Sequence, residues 1–208
     1  MNLVLQTKGK LSKEIEDKIE DVDILTDFDG TMIREESQYV EVLTYFFHKS
    51  NKIGFVKEVL KEYQNCKKKE DIKGFYSLFK GCPVETLDRL VKVINQNKKW
   101  DNLIESLKPK KIGIISRNSE RFISKYLDEL DYRPAEISLV AANIPEIAEE
   151  VYTGKVEMIV DNKNLIDFIG KKEYICDEEE REIIEKSENI RSERLKNGLY
   201  LCSRKKIF

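Results

Sequence analysis

A chain of 208 residues with 40% hydrophobic side chains has the length for one good core and a small accessory subdomain. Its 37 basic and 39 acidic residues leave a net charge of −2, so no global field draws it to nucleic acid, and no apolar stretch approaches the roughly 20 residues of a membrane span. With no basic-then-apolar leader pattern at the start, a cytoplasmic location with neither a membrane nor a nucleic-acid partner is expected.

Leu11 to Asp21 has the spacing of a short helix, and Val22 to Thr26 is a compact apolar strand ending at an acidic pair. From Glu35 to about Leu107 the pattern is helical almost throughout, with Val40, Leu43, Phe46, Val56, Val59 and Leu60 among its apolar positions. Gly81-Cys82-Pro83 interrupts it, and Pro83 suits the first turn of a new helix over Val84–Ile94. Beyond Pro109, Lys111 to Ile115 predicts a second strand, followed by Ser116 and an amphipathic helix from about Ser119 to Leu130. A third strand is predicted over Ile137–Ala141, a hairpin around Tyr152 to Lys155, and a helix opening at Lys163 and stopped by Gly170. Glu173 to Cys176 predicts the next strand, ending at Asp177 before a helical run over 178–186, and Leu199 to Cys202 the last. Strand–helix alternation implies a parallel α/β sheet with a helical block inserted after its first strand.

Four scattered cysteines, Cys66, Cys82, Cys176 and Cys202, form no Cys-x-x-Cys pair, which fits buried reduced thiols, and one histidine, His48, cannot build a multi-histidine metal centre. The chemistry instead gathers at strand ends: Asp27-Phe28-Asp29-Gly30-Thr31 after the first strand, Ser116 after the second and Asp177 after a later one. In a parallel open sheet those ends line the ligand crevice. Of two carboxylates two positions apart, the first can attack phosphorus while the second protonates the leaving oxygen and then takes a proton from water. Carboxylates facing a phosphoryl group need a hard divalent cation, and Asp27 with Asp177 can hold Mg²⁺. Gly30 lets the chain turn sharply, and Ser116 and Lys163 can donate to phosphoryl oxygens. Taken singly, Ser116 also suits a helix N-cap, Lys163 a solvated side chain, and Asp177 the positive end of a helix.

These residues resemble the haloacid dehalogenase (HAD) superfamily, in particular its phosphoserine-phosphatase-like branch. The likeness runs from about Val22 onward, through Asp27 to Thr31, Ile114-Ile115-Ser116, Lys163 and Asp177. It implies a Rossmann-like parallel sheet core, residues 1–32 and 108–208, with an inserted small helical cap over 33–107. It also implies a Mg²⁺-dependent phosphatase acting on a small phosphorylated metabolite through a phosphorylated Asp27. Asp29 is then the acid/base, Mg²⁺ sits on Asp27, the Asp29 carbonyl and Asp177, and Ser116 and Lys163 bind phosphate. Glu36 and Arg117 are the expected substrate contacts. The pattern departs from the family where Cys176 replaces a glycine and Arg181 stands in place of a second acid, with Glu178, Glu180 and Glu182 as neighbouring carboxylates. Phe75 stands where phosphoserine phosphatases carry a cap arginine, which points to a different small phosphomonoester. The alternative reading is a non-catalytic HAD-like protein that binds a ligand or partner through a degenerate metal site.

Overall fold

The computed structural model describes residues 13–34, 52–69, 73–130, 134–161 and 164–205. The first half holds helix α1 (Lys13–Asp21), strand β1 (Ile24–Thr26), and helices α2 (Lys52–Lys69), α3 (Lys73–Ser77), α4 (Val84–Asp88) and α5 (Lys98–Leu107). The second half holds β2 (Lys111–Ser119), α6 (Glu120–Glu129), β3 (Glu136–Ala148), β4 (Val151–Glu157), α7 (Leu165–Ile169), β5 (Tyr174–Cys176), α8 (Glu178–Ile184), β6 (Ile190–Arg194) and β7 (Tyr200–Arg204). Together they form the α/β, Rossmann-like architecture expected, a sheet in the order β4-β3-β2-β1-β5-β7-β6.

The central four strands are parallel, whereas β4, β7 and β6 are antiparallel additions at the edges. Side chains of a strand alternate between faces, and here both faces are apolar. Ile24, Ile112, Ile114 and Ile175 enter one cluster with Trp100 and Ile104 of α5 and Phe122, Ile123 and Tyr126 of α6. Leu25, Ile115, Tyr174 and Cys176 enter another with Ile15 and Ile19 of α1, Phe168 of α7 and Ile184 of α8. Helices therefore cover both sides, which is what strands as short and apolar as β1 and β5 require. The chain runs outward from β1 through β2 to β3 and returns to β5 on the other flank of β1, so the strand order switches direction at β1. Ligand crevices in such sheets open at that switch, beyond the strands' carboxyl ends.

Four elements differ from the sequence reading, the first being β2, which runs past Ile115 to Ser119 so that Ser116 lies within it. β3 continues past Ala141 to Ala148, and the hairpin turn falls at Glu149-Glu150, both with positive φ, while Tyr152 to Lys155 lie within β4. Glutamates in a left-handed turn give no glycine or asparagine signal to read. β6 has one buried residue, Ile190, in five, because it is the sheet's outer strand and lacks the alternation that marks a half-buried one. The helix predicted over 84–94 is α4 followed by a tighter 3₁₀ turn, Arg89–Val93.

Among the described residues, the segment between β1 and β2 makes main-chain bonds at its root and to β4. At its root Ile33 bridges Gln96, the Arg34 N–H donates to the Asn95 carbonyl (3.0 Å) and the Asn97 N–H to the Met32 carbonyl (2.9 Å). Farther along, the Gly81 N–H donates to Tyr152 O (2.8 Å), Tyr152 N–H to Cys82 O (2.9 Å) and Val84 N–H to Glu150 O (2.9 Å). Gly154 permits this approach: its φ is +83°, and a Cβ there would lie 2.9 Å from Lys80 Cβ. Cys82, Cys176 and Cys202 are buried free thiols, as expected, with Cys176 Sγ 3.6 Å from Cys202 Sγ. The Cys66 side chain and His48 lie outside the described residues. Among the described residues no helix is long and apolar enough to cross a membrane.

Candidate active site

β1 delivers Asp27 into the crevice. The Asp27 N–H still donates to the Ile175 carbonyl (2.8 Å), so β5 fixes the strand up to the acid, and the chain then turns within Phe28–Met32. Gly30 supports the turn with φ +69°. A Cβ at Gly30 would collide with Oδ2 of Asp177, so glycine answers both a backbone need and a space need. Phe28 pins the turn to α6, edge-on to Tyr126 (5.4 Å) and Phe122 (6.3 Å), and its complete burial is worth about 2–3 kcal/mol. The Thr31 hydroxyl donates to Asp27 Oδ2 (3.3 Å).

Two residues from the return of the insert hold this turn from the other side. Asn97 caps α5 by accepting from the Lys99 N–H (3.1 Å), and its amide donates to the carbonyls of Thr31 (2.8 Å) and Gly30 (3.4 Å). Trp100 Nε1 donates to Thr26 Oγ1 (2.9 Å), and that hydroxyl donates to the Asp27 carbonyl (3.0 Å). Neither was anticipated: an Asn before a helix signals a cap, and only the fold reveals what the other end of its amide binds.

On one flank, β2 brings Ser116, Arg117 and Asn118. Asn118 Nδ2 donates to Asp29 Oδ2 (2.9 Å) and orients the second acid, a contact that no local pattern reveals. Ser116 is buried, and its Oγ accepts from the Asn118 N–H (3.1 Å), while the N-cap of α6 is Ser119, which accepts from the Phe122 N–H. The alternative reading of Ser116 as a cap thus belongs to its neighbour three residues on.

On the other flank β5 ends at Asp177. Its Oδ1 caps α8 by accepting from the Glu180 N–H (2.9 Å), while Oδ2 lies against Gly30. Capping and a place in the crevice coexist in one side chain. Of the three glutamates nearby, Glu178 pairs with Arg181 and Tyr200, and Glu182 is exposed. Glu180 alone of them turns inward: it is 3% exposed and forms an ion pair with Arg117. Arg181 faces away, bonded to Glu178 and Glu185 with its guanidinium over the Tyr200 ring.

The resulting electrostatics are acidic. Burial, then the charges of Glu180, Asp177 and Asp29, push the Asp27 carboxyl well above the usual carboxylate range. Burial likewise raises Asp177 and, against the pull of Arg117, Glu180. Against the cost of burial, Glu180 and Asp27 hold the Arg117 guanidinium above its ordinary range. Carboxylates crowded in so small a space suit a hard divalent cation, which would offset the repulsion among them. Among the described residues no three His, Cys, Asp or Glu side chains are grouped to hold a metal. The expected set, two carboxylates with one main-chain carbonyl, falls below that count of side chains and fits the cation by charge and donor type. Lys163 and Glu36, expected to bind phosphate and substrate, lie outside the described residues.

No family model matches the chain, and no curated protein matches it either. Solved structures similar to it include phosphoserine phosphatases and a HAD family hydrolase. Phosphoserine phosphatase in its apo form is 18% identical with a TM-score of 0.49, over 69% of this chain and 67% of that one. A phospho-aspartyl intermediate analogue of phosphoserine phosphatase is 20% identical with a TM-score of 0.49, over 69% and 68%. A HAD family hydrolase from Salmonella enterica serovar Typhi is 19% identical with a TM-score of 0.46, over 69% of this chain and 49% of that one.

Proposed function

We propose that the chain is a Mg²⁺-dependent phosphatase that hydrolyses a small phosphomonoester through an aspartyl-phosphate at Asp27. The observation that carries this reading is the convergence of three strand ends: Asn118 of β2 donates to Asp29, and Asp177 beyond β5 lies against Gly30 in the turn that begins at Asp27. Asp27 is the nucleophile. Asp29, held by Asn118, donates a proton to the leaving oxygen and afterwards accepts one from the attacking water. Ser116 and Lys163 steady the phosphoryl oxygens, and Arg117 and Glu36 contact the substrate. Asp27, the Asp29 carbonyl and Asp177 would hold Mg²⁺, which when bound neutralises negative charge around the phosphoryl group. The helical insert serves as a cap. Because α5 bonds to β1 through Trp100, the division we favour runs at the paired segments 33–34 and 95–97.

The test is phosphate release from a panel of small phosphomonoesters, with and without Mg²⁺, for the wild type and Asp27→Asn. Metal-dependent turnover that disappears in the variant is expected. Full turnover by Asp27→Asn would reject the nucleophile. A binding protein without turnover is the second reading, favoured by Arg181 facing away from the crevice, which leaves α8 no second acid at that position. Mg²⁺ affinity separates the two, because the phosphatase reading requires saturation at millimolar metal.

A further inference from the structure

Arg117 is gripped at both ends by side chains distant in sequence. Its carbonyl accepts from Tyr76 OH of α3 (3.0 Å) and from Asn143 Nδ2 of β3 (2.7 Å). Asn143 is itself completely buried, and its Oδ1 accepts from the N–H groups of Ile159 (2.8 Å) and Val160 (2.9 Å). At the other end the guanidinium pairs with Glu180 Oε2, while Glu180 Oε1 accepts from Tyr174 OH (3.3 Å), whose hydroxyl also lies 3.3 Å from the Ile115 carbonyl. A buried ion pair is a poor source of stability, because desolvating both charges offsets their attraction, and apolar groups of equal volume often serve as well. What this pair does provide is a fixed span between two chemical segments. It joins the β2 segment with Ser116 and Asn118 to the first turn of α8, where the Glu180 N–H also engages Asp177.

We propose that Glu180 is a positioning residue: it aims the Arg117 guanidinium into the crevice and sets the distance between the β2 segment and Asp177. The proposal rests on the phosphatase reading, with Arg117 as its anion contact. Glu180 touches no reacting atom, and its charge also bears directly on Asp27, so the positioning role is the part of its effect that disappears when the guanidinium is absent.

The experiment is a double-mutant cycle of Glu180→Gln and Arg117→Met. Two readouts are taken: hydrolysis of p-nitrophenyl phosphate with Mg²⁺, and calorimetric binding of inorganic phosphate. Glu180→Gln is expected to lower kcat/KM and phosphate affinity by about tenfold or more in the wild-type background and by several-fold less in Arg117→Met, where only the direct effect of its charge on Asp27 remains. An unchanged Glu180→Gln, or an equal loss in both backgrounds, overturns the proposal. If Glu180→Gln does not fold, Glu180→Asp replaces it in the cycle. That variant keeps the charge but withdraws it by one methylene, and it is expected to show a smaller loss in both readouts that likewise shrinks without Arg117. Turnover that depends on Asp27 but not on Glu180 leaves the phosphatase reading standing and defeats only this inference. Absence of turnover in the wild type defeats that reading, and the phosphate-binding cycle then judges Glu180 alone, coupling upholding its role and additivity rejecting it. Absence of phosphate binding as well defeats both.

Discussion

Two acidic turns flank each other at the carboxyl ends of β1 and β5, and they use their carboxylates differently. The first, Asp27 to Met32, makes no side-chain cap bond at Asp27; Thr31 donates to that acid, and Asn118 donates to Asp29. The second commits its acids to structure, Asp177 capping α8 and Glu180 pairing with Arg117. Equal chemistry in sequence thus divides into a pair oriented toward the crevice and a pair that holds the frame, with Asp177 serving both through its two oxygens. Backbone geometry decides which: the glycine-based reversal after β1 leaves no helix start for Asp27 to cap, whereas α8 begins directly after Asp177.

Substitutions that remove charge while keeping shape test that division. Asp27→Asn should have the largest effect, reducing phosphate release by on the order of 10⁴-fold. It should also raise the melting temperature of metal-free protein at pH 7. The folded Asp27 carboxyl titrates well above the range near 4 of the unfolded chain, so the folded state keeps an extra proton between the two values. The stabilisation from that proton is complete below about pH 4 and is lost as pH rises through the folded value. Urea unfolding in EDTA across this window should show the wild type weakening with pH and Asp27→Asn weakening less; parallel profiles would reject the buried neutral acid. Asp29→Asn should slow kcat by roughly 10²–10³-fold while inorganic phosphate still binds, measurable by steady-state kinetics and calorimetry. Asp177→Asn is the sharpest contrast, since asparagine caps a helix as well as aspartate. Its metal-free melting temperature should be maintained while the Mg²⁺ concentration for half-maximal activity rises at least about tenfold. Asn97→Ala should be the mildest for chemistry, costing about 1–2 kcal/mol in denaturant unfolding through the lost cap and the two freed carbonyls.

The acids themselves were legible because a strand, two aspartates and a glycine form a contiguous pattern. That they share one edge of the sheet followed from strand–helix alternation, and β1, β2 and β5 lie where apolar runs placed them. The supports were not legible. Asn97, Trp100, Asn118 and Asn143 act across 26 to 89 positions of sequence, and each has an ordinary local role or none. The choice among Glu178, Glu180 and Glu182 depended on the rotation of α8, which three consecutive glutamates at 178–180 do not reveal. β6 and the Glu149-Glu150 turn escaped because an edge strand loses alternation and a left-handed turn made by glutamates carries no mark.

The two sets of main-chain bonds between the insert and the core have a mechanical consequence. A segment fastened only at residues 33–34 and 95–97 can swing as a flap, whereas one also stitched to β4 through Gly81, Cys82 and Val84 cannot turn about its root without breaking three further bonds. The stretch from Gly81 to Val84 therefore behaves as part of the chassis, and any widening of the crevice that spares these bonds must be found elsewhere in the insert. On the phosphatase reading proposed above, an attachment of this kind favours compact phosphate esters over bulky ones.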